Sequence, residues 1–205
     1  DEEAREVCEE VFREQGLPLA IRSDNGVPFS STGLAGLTKL SAYFIRLGIA
    51  LERIRPSHPE ENGQHERMHR TLKAETTRPA RANLLQQQER FDDWLHEFNH
   101  ERPHEALGMK RPAEVYTPSP TRLPDPIPEL TYPLHDDVVR VTRWGDIHVA
   151  GLGQIRLTKA LVGQDVGIRE QSDGRWLVSF ANIDLGLTNE RKRITPIGAN
   201  SLESH

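Results

Sequence analysis

The sequence predicts an α/β chain that ends in a small all-β part, and three observations carry this reading. Over the first 54 residues, apolar spacing alternates between helical and strand periods. Residues 117–133 then hold six prolines and no period at all. Beyond them, short β-rich runs recur between turn signals.

The 205 residues suffice for one large or two small domains. A hydrophobic share of 36% with 28% charged residues is the balance of a folded globular chain and excludes a disordered one. The formal net charge of −5 excludes a uniformly basic protein, so any nucleic-acid surface has to be local. Cys8 is the single cysteine, which excludes an internal disulfide and suits a small apolar group on a helix face. No run reaches transmembrane length and no basic-then-apolar leader opens the sequence. The expectation is a cytoplasmic protein with no membrane partner.

Ala4, Val7, Cys8, Val11 and Phe12 share one face of a predicted helix over 2–15, which Gly16 and Pro18 end. Leu19-Ala20-Ile21 reads as a buried strand running into the turn Ser23-Asp24-Asn25-Gly26. Leu34, Leu37, Leu40, Phe44 and Leu47 predict a helix over 33–47, stopped by Gly48, and 49–54 reads as a second strand. The order helix, strand, helix, strand implies a parallel pair. Residues 55–63 read as a loop, with Asn62 capping the helix that follows. Leu84, Phe91, Leu95 and Phe98 predict another helix over 83–99 with that stripe in a core. The β part is expected as runs at 138–143, 147–150, 154–158, 165–170 and 175–180, forming a small barrel or sandwich, with a disordered tail over 195–205.

Two acids stand out. Asp24 ends a predicted strand and Glu66 opens a predicted helix, and carboxylates on rigid elements suit Mg²⁺, a hard ion that prefers oxygen ligands. Glu66, Arg70 and Lys73 fall at i, i+4 and i+7 and share a helix face, so the acid could hold metal while the cations meet phosphates. Residues 46–81 hold eight Lys or Arg against five Asp or Glu. The plain alternative is a solvated helix with an ordinary Glu66–Arg70 pair.

A resemblance bears on this choice. Asp24-Asn25-Gly26 with Phe29, then Arg55-Pro56-Ser57-His58-Pro59, Asn62-Gly63 before Glu66, and Leu72-Lys73 resemble the second half of a retroviral-type integrase core. Phe98-Asn99-His100-Glu101-Arg102-Pro103-His104 and Arg111-Pro112-Ala113-Glu114-Val115-Tyr116 are similar to the segment that closes that core in DDE transposases of the IS481/IS3 group. The resemblance covers roughly 1–120, and more weakly 131–195. It implies a truncated RNase H-like integrase core over 1–117, a linker over 118–133, and a small all-β, SH3-like barrel over 134–194. It implies that Asp24 and Glu66 are the second and third acids of a catalytic triad and ligate Mg²⁺, with Mn²⁺ as a substitute. It further implies that Asn62, Gly63, Arg67, Arg70 and Lys73 contact DNA, that element ends and target DNA are the partners, and that the active assembly is a homo-oligomer located in the bacterial cytoplasm and nucleoid-associated on DNA.

Two departures go with it. Forty-one residues separate Asp24 from Glu66, more than is usual for the motif. The first acid of the triad is also absent upstream of Asp24, so these residues are expected to be poorly stable alone and incompetent for strand transfer.

Two rival readings remain. His65-Glu66-Arg67-Met68-His69 spells the zinc-protease motif H-E-x-x-H, but a third ligand is not evident. The β part carries Arg140, Arg143, Arg156, Lys159 and Arg169 with Trp144 and Trp176, which admits a non-catalytic DNA-binding or interfering fragment. Both tryptophans are otherwise expected to pack the core of that part. No P-loop, dinucleotide fingerprint, Cys-based zinc site or Gly-x-Ser-x-Gly elbow is present.

Overall fold

The computed structural model describes residues 2–24, 26–54, 63–188 and 193–197, with Gln64 described by its backbone alone. The described chain is mixed helix and sheet, and its contacts divide it into two compact units: Asp1–Arg53 with Pro120–His205, and Ile54–Ser119.

The first unit opens with α1 (Glu2–Gln15), β1 (Ala20–Ser23), α2 (Lys39–Arg46) and β2 (Ala50–Arg53). β1 and β2 pair in parallel, Ala20 opposite Ala50 through Ser23 opposite Arg53. The expected parallel pair is thus present. The expected burial is not: no residue of β1 is fully buried, and Leu19, read as part of the strand, lies before it at 89% exposure. A two-stranded sheet covers little of either face.

The expected helix over 33–47 is shorter than its apolar stripe. Leu34–Gly36 form one 3-10 turn, Leu37 is extended, and α2 begins only at Lys39. The reason is local. The Thr38 hydroxyl accepts from the Ser41 amide at 3.0 Å while the Ser41 hydroxyl accepts from the Thr38 amide at 2.8 Å, a reciprocal cap that fixes the helix start.

α2 is buried nearly all round, as a helix apolar on every side must be. Leu40, Tyr43 and Phe44 pack with Phe12, Leu17 and Ile49. Leu37, Ala42 and Ile45 pack with a second cluster that includes Val141, Ile147, Ile155, Leu161, Ile168 and Phe180. One helix therefore joins α1 and the first strands to the C-terminal sheet.

That sheet is five-stranded and antiparallel, in the order β3 (Asp137–Arg140), β6 (Asp165–Glu170), β7 (Trp176–Phe180), β8 (Ile183–Thr188), β9 (Ile194–Thr195); β4 (Asp146–Val149) and β5 (Gly153–Arg156) form a separate hairpin. The five expected runs each correspond to a strand. β8 and β9 were not foreseen, and Thr195, expected in a disordered tail, belongs to β9; 198–205 lie outside the described residues.

The proline-rich segment carries no regular structure, as expected, yet it is tied down. The Leu17 amide donates to the Thr121 carbonyl at 2.7 Å, and Arg46 donates to the Pro128 carbonyl at 3.4 Å. Tyr132 is 7% exposed; its hydroxyl donates to the Asp165 carbonyl at 2.7 Å and accepts from the Ala181 amide at 3.1 Å. Gly167 makes room for it, because a Cβ there would lie 2.4 Å from Cδ1 of the Tyr132 ring.

The second unit contains α3 (Gly63–Thr76), α4 (Leu84–His100) and the short α5 (Pro112–Val115). Asn83 caps α4 by accepting from the Gln86 amide at 3.0 Å. Among the described residues no helix is long and apolar enough to cross a membrane.

Candidate metal and DNA site

Asp24 follows the last residue of β1 and is exposed. Its Oδ1 accepts the Gly26 amide at 3.0 Å, closing a turn over the strand end. Phe29 packs into the Phe12–Phe44 cluster and anchors the far side of that turn. Oδ2 has no hydrogen-bond partner among the described residues. An oriented, half-free carboxylate of this kind fits a hard divalent cation.

Glu66 lies in the first turn of α3 and is exposed. It makes no ion pair or hydrogen bond among the described residues, so the ordinary Glu66–Arg70 pair is not formed. Arg67, Arg70 and Lys73 are exposed on the same helix, whereas Met68 and Leu72 are half-buried and Thr76 is 2% exposed. The helix therefore separates a packed face from a charged one, as its spacing predicts. Asn62 lies outside the described residues, and Gly63 is the first residue of α3. Asp24 belongs to the first unit and Glu66 to the second, and each is described within its own unit.

Glu75 and Trp94, which the sequence does not mark out, hold α3 in place together with Arg102. Glu75 is the centre. Its carboxylate accepts from the Trp94 indole at 2.6 Å and from Arg102 at 3.0 and 3.3 Å, while Arg102 also donates to Glu97 at 2.7 Å. Arg90 donates to the Glu75 carbonyl at 3.2 Å, and Gln87 to the Thr76 carbonyl at 3.1 Å. The Arg102 guanidinium, and secondarily the Trp94 indole, hold the Glu75 carboxyl below its ordinary range. Trp94 is 4% exposed and stacks on Phe98, whose ring meets His104 edge-on. Arg111 pairs with Glu114 at 3.0 Å and donates to the His100 carbonyl at 3.3 Å. The first closing motif thus braces α3 through Arg102, and the second braces the end of α4 through Arg111. The signal was present in Arg102 within the first of them, but its partner sits 27 residues away.

The core stripe expected on α4 is displaced. Trp94 is its buried residue, and Leu84 and Leu95 are 84% and 53% exposed. The hydrogen bonds that engage Trp94, Arg90 and Gln87 turn their side of the helix toward α3. His65 and His69 do lie together, with ring centroids 4.2 Å apart, but among the described residues no group of three or more His, Cys, Asp or Glu could hold a metal. Of the two tryptophans expected in the β core, Trp176 packs against it and Trp144 does not, being 59% exposed.

Residues 47–112 match the family model of the integrase core domain. That segment contains Glu66, all of α3 and α4, the first closing motif and the first two residues of the second; Asp24 precedes it. The chain is 39% identical over 75 residues to the Gag-Pol polyprotein of baboon endogenous virus (strain M7) and equally so to the Pol polyprotein of feline endogenous virus ECE1. Each alignment takes in 37% of this chain and only 4% and 7% of those polyproteins, so the chain corresponds to a small part of either. A chain from the cryo-EM structure of the simian T-cell lymphotropic virus intasome in complex with PP2A regulatory subunit B56 gamma aligns with a TM-score of 0.45 and 16% identity, over 93% of this chain and 65% of that one. The resemblance to a retroviral-integrase-like DDE core is carried by the matched segment.

Proposed function

We propose that this chain is the C-terminal part of an IS481/IS3-like DDE transposase. On this reading residues 1–117 derive from an RNase H-like core, 118–133 link it, and 134–194 form an SH3-like barrel. Asp24 and Glu66 hold Mg²⁺ or Mn²⁺, and Asn62, Gly63, Arg67, Arg70 and Lys73 meet the DNA of the element's ends. A bound divalent pair would supply positive charge at the attacked phosphate and lower the pKa of the attacking water or 3′-hydroxyl. The chain's own part is to orient that charge and the DNA backbone. The working assembly is a homo-oligomer in the bacterial cytoplasm, nucleoid-associated when bound.

One observation carries the reading. Within the segment of integrase-core type, Glu66 is exposed and unpartnered among the described residues, beside three exposed cations, on a helix whose other face is locked by Glu75, Trp94 and Arg102. Among the described residues, the acids upstream of Asp24 stand on α1 and none on a strand. These residues are therefore proposed to bind metal and DNA without completing strand transfer, which needs a third carboxylate from outside them.

The test is Mn²⁺ binding followed by electron paramagnetic resonance, together with DNA binding across a salt series. Asp24→Asn and Glu66→Gln are each expected to weaken Mn²⁺ binding at least tenfold and to leave DNA binding in place. Mn²⁺ binding unaffected by both changes would refute the metal assignment. DNA binding that persists without any Mn²⁺ binding would favour the non-catalytic DNA-binding fragment.

A further inference from the structure

Trp144 is the most exposed of the three tryptophans, and the turn that carries it is built rather than loose. The Thr142 hydroxyl accepts the Trp144 amide at 3.2 Å and donates to the Asp146 carboxylate, whose other oxygen accepts from the Gln154 side chain. The Gly145 amide donates to the Thr142 carbonyl at 2.9 Å, and the Leu157 amide to the Gly145 carbonyl at 2.9 Å. Gly145 has φ +80°, and a Cβ there would lie 2.8 Å from the Lys159 backbone nitrogen. Only glycine lets the turn seat so closely on the 157–159 backbone.

A large aromatic held at 59% exposure by such a turn loses apolar burial that the neighbouring core could offer. Its partner on the turn is Arg143, whose guanidinium lies 4.8 Å from the indole centroid. The exposed Lys, Arg, Asp and Glu side chains of this stretch have one sign. Between residues 141 and 160 the cations are Arg143, Arg156 and Lys159, all exposed, and the one acid, Asp146, is 2% exposed with both oxygens engaged. An exposed indole on a turn that also carries an exposed arginine, with Arg156 and Lys159 exposed on the strand and turn that follow, in a chain of net charge −5, matches the chemistry of a nucleotide: a π-face flanked by phosphates. A proline-rich peptide could use the indole but would gain nothing from the cations.

We propose that the Arg143–Trp144 turn is a stacking platform for an unpaired base, with Arg156 and Lys159 meeting the adjacent phosphates. The inference rests on DNA being the partner, and not on the metal chemistry of Asp24 and Glu66. A base inside a duplex has no free face, so the platform selects single-stranded, frayed or flipped nucleotides.

The experiment titrates the full chain with a fluorescent oligothymidylate, an abasic strand of equal length and a duplex, following tryptophan fluorescence and anisotropy. The single strand is expected to quench wild-type fluorescence. Trp144→Ala should weaken its binding by roughly 5- to 150-fold, the range that one stacked base contributes. Trp144→Leu should behave like the alanine variant and Trp144→Phe should stay within about threefold of wild type, because stacking needs a ring. Abasic-strand binding should not respond to any of the three changes. Wild-type affinity of Trp144→Ala for oligothymidylate would overturn the platform while leaving duplex binding, and the transposase reading, intact. Failure of the wild-type chain to bind any of the three DNAs would overturn both.

Discussion

Trp94 and Glu75 are joined by a 2.6 Å hydrogen bond from the indole to a carboxylate oxygen that also accepts from Arg102 at 3.0 Å. This contact ties the last turn of α3 to the middle of α4. Glu66 lies nine residues before Glu75 on the same helix, so the orientation of the candidate ligand is set from the opposite end.

The charge state of Glu75 should therefore govern the acid stability of the helical unit. Its carboxyl is held low chiefly by the Arg102 hydrogen bond. A carboxyl depressed in the folded state adds stability above its unfolded pKa, about 4.3, and loses it as pH falls through the lower folded value. The difference in unfolding free energy between wild type and Glu75→Gln should stay level above pH about 6 and shrink below about 4. Chemical denaturation across pH 3–7 reads it, and a difference that widened on acidification would contradict the assignment.

Trp94→Phe keeps a ring on Phe98 and deletes the donor, at an expected loss of about 1.5–3 kcal/mol for a hydrogen bond to a charged group. Trp94→Ala adds a cavity and should cost about 3–5 kcal/mol. Urea midpoints should keep this order, with Glu66→Gln within about 0.5 kcal/mol of wild type because its exposed side chain makes no hydrogen bond or ion pair among the described residues.

Arg70→Gln and Lys73→Gln should leave the thermal midpoint unchanged, since both residues are exposed, yet each should lower the salt slope of duplex binding by about 0.9 if it meets a phosphate. An unchanged slope in both variants would remove α3 from the DNA interface.

Gly167→Ala should destabilise the sheet unit by at least about 1–3 kcal/mol, the cost of overpacking, because the new methyl meets the Tyr132 and His135 rings at 2.4 and 2.6 Å. Combining it with Tyr132→Ala should relieve part of that penalty. A double mutant showing purely additive losses would rule out the contact as the cause.

The sequence made α1, the parallel pair, α4 and five β runs legible because each is announced by periodicity or a turn within a few residues. The start of α2 departs from its apolar stripe for a physical reason: the stripe from Leu34 to Leu47 continues through a 3-10 turn, while the helix obeys the Thr38–Ser41 cap. β8 carries its own signal in the alternation of Ile183, Leu185 and Leu187. The exposed acid and cations of α3 could be read from spacing alone. The scaffold beneath them could not, since Glu75, Trp94 and Arg102 meet only after α4 has folded back. Trp144 is the reverse case: hydrophobicity places it inside, and the hydrogen bonds of its own turn hold it out.

The two-sided burial of α2 has a consequence for how the protein is made. Its second set of apolar partners begins at Val141, about ninety residues further along the chain. At ribosomal speeds of about 5–20 residues per second, the nascent N-terminal segment waits on the order of ten seconds with one flank of that helix uncovered. During that interval it is a natural client for chaperones, and a ribosome stalled before the C-terminal sheet emerges would release a sticky, half-clothed chain rather than a smaller working one.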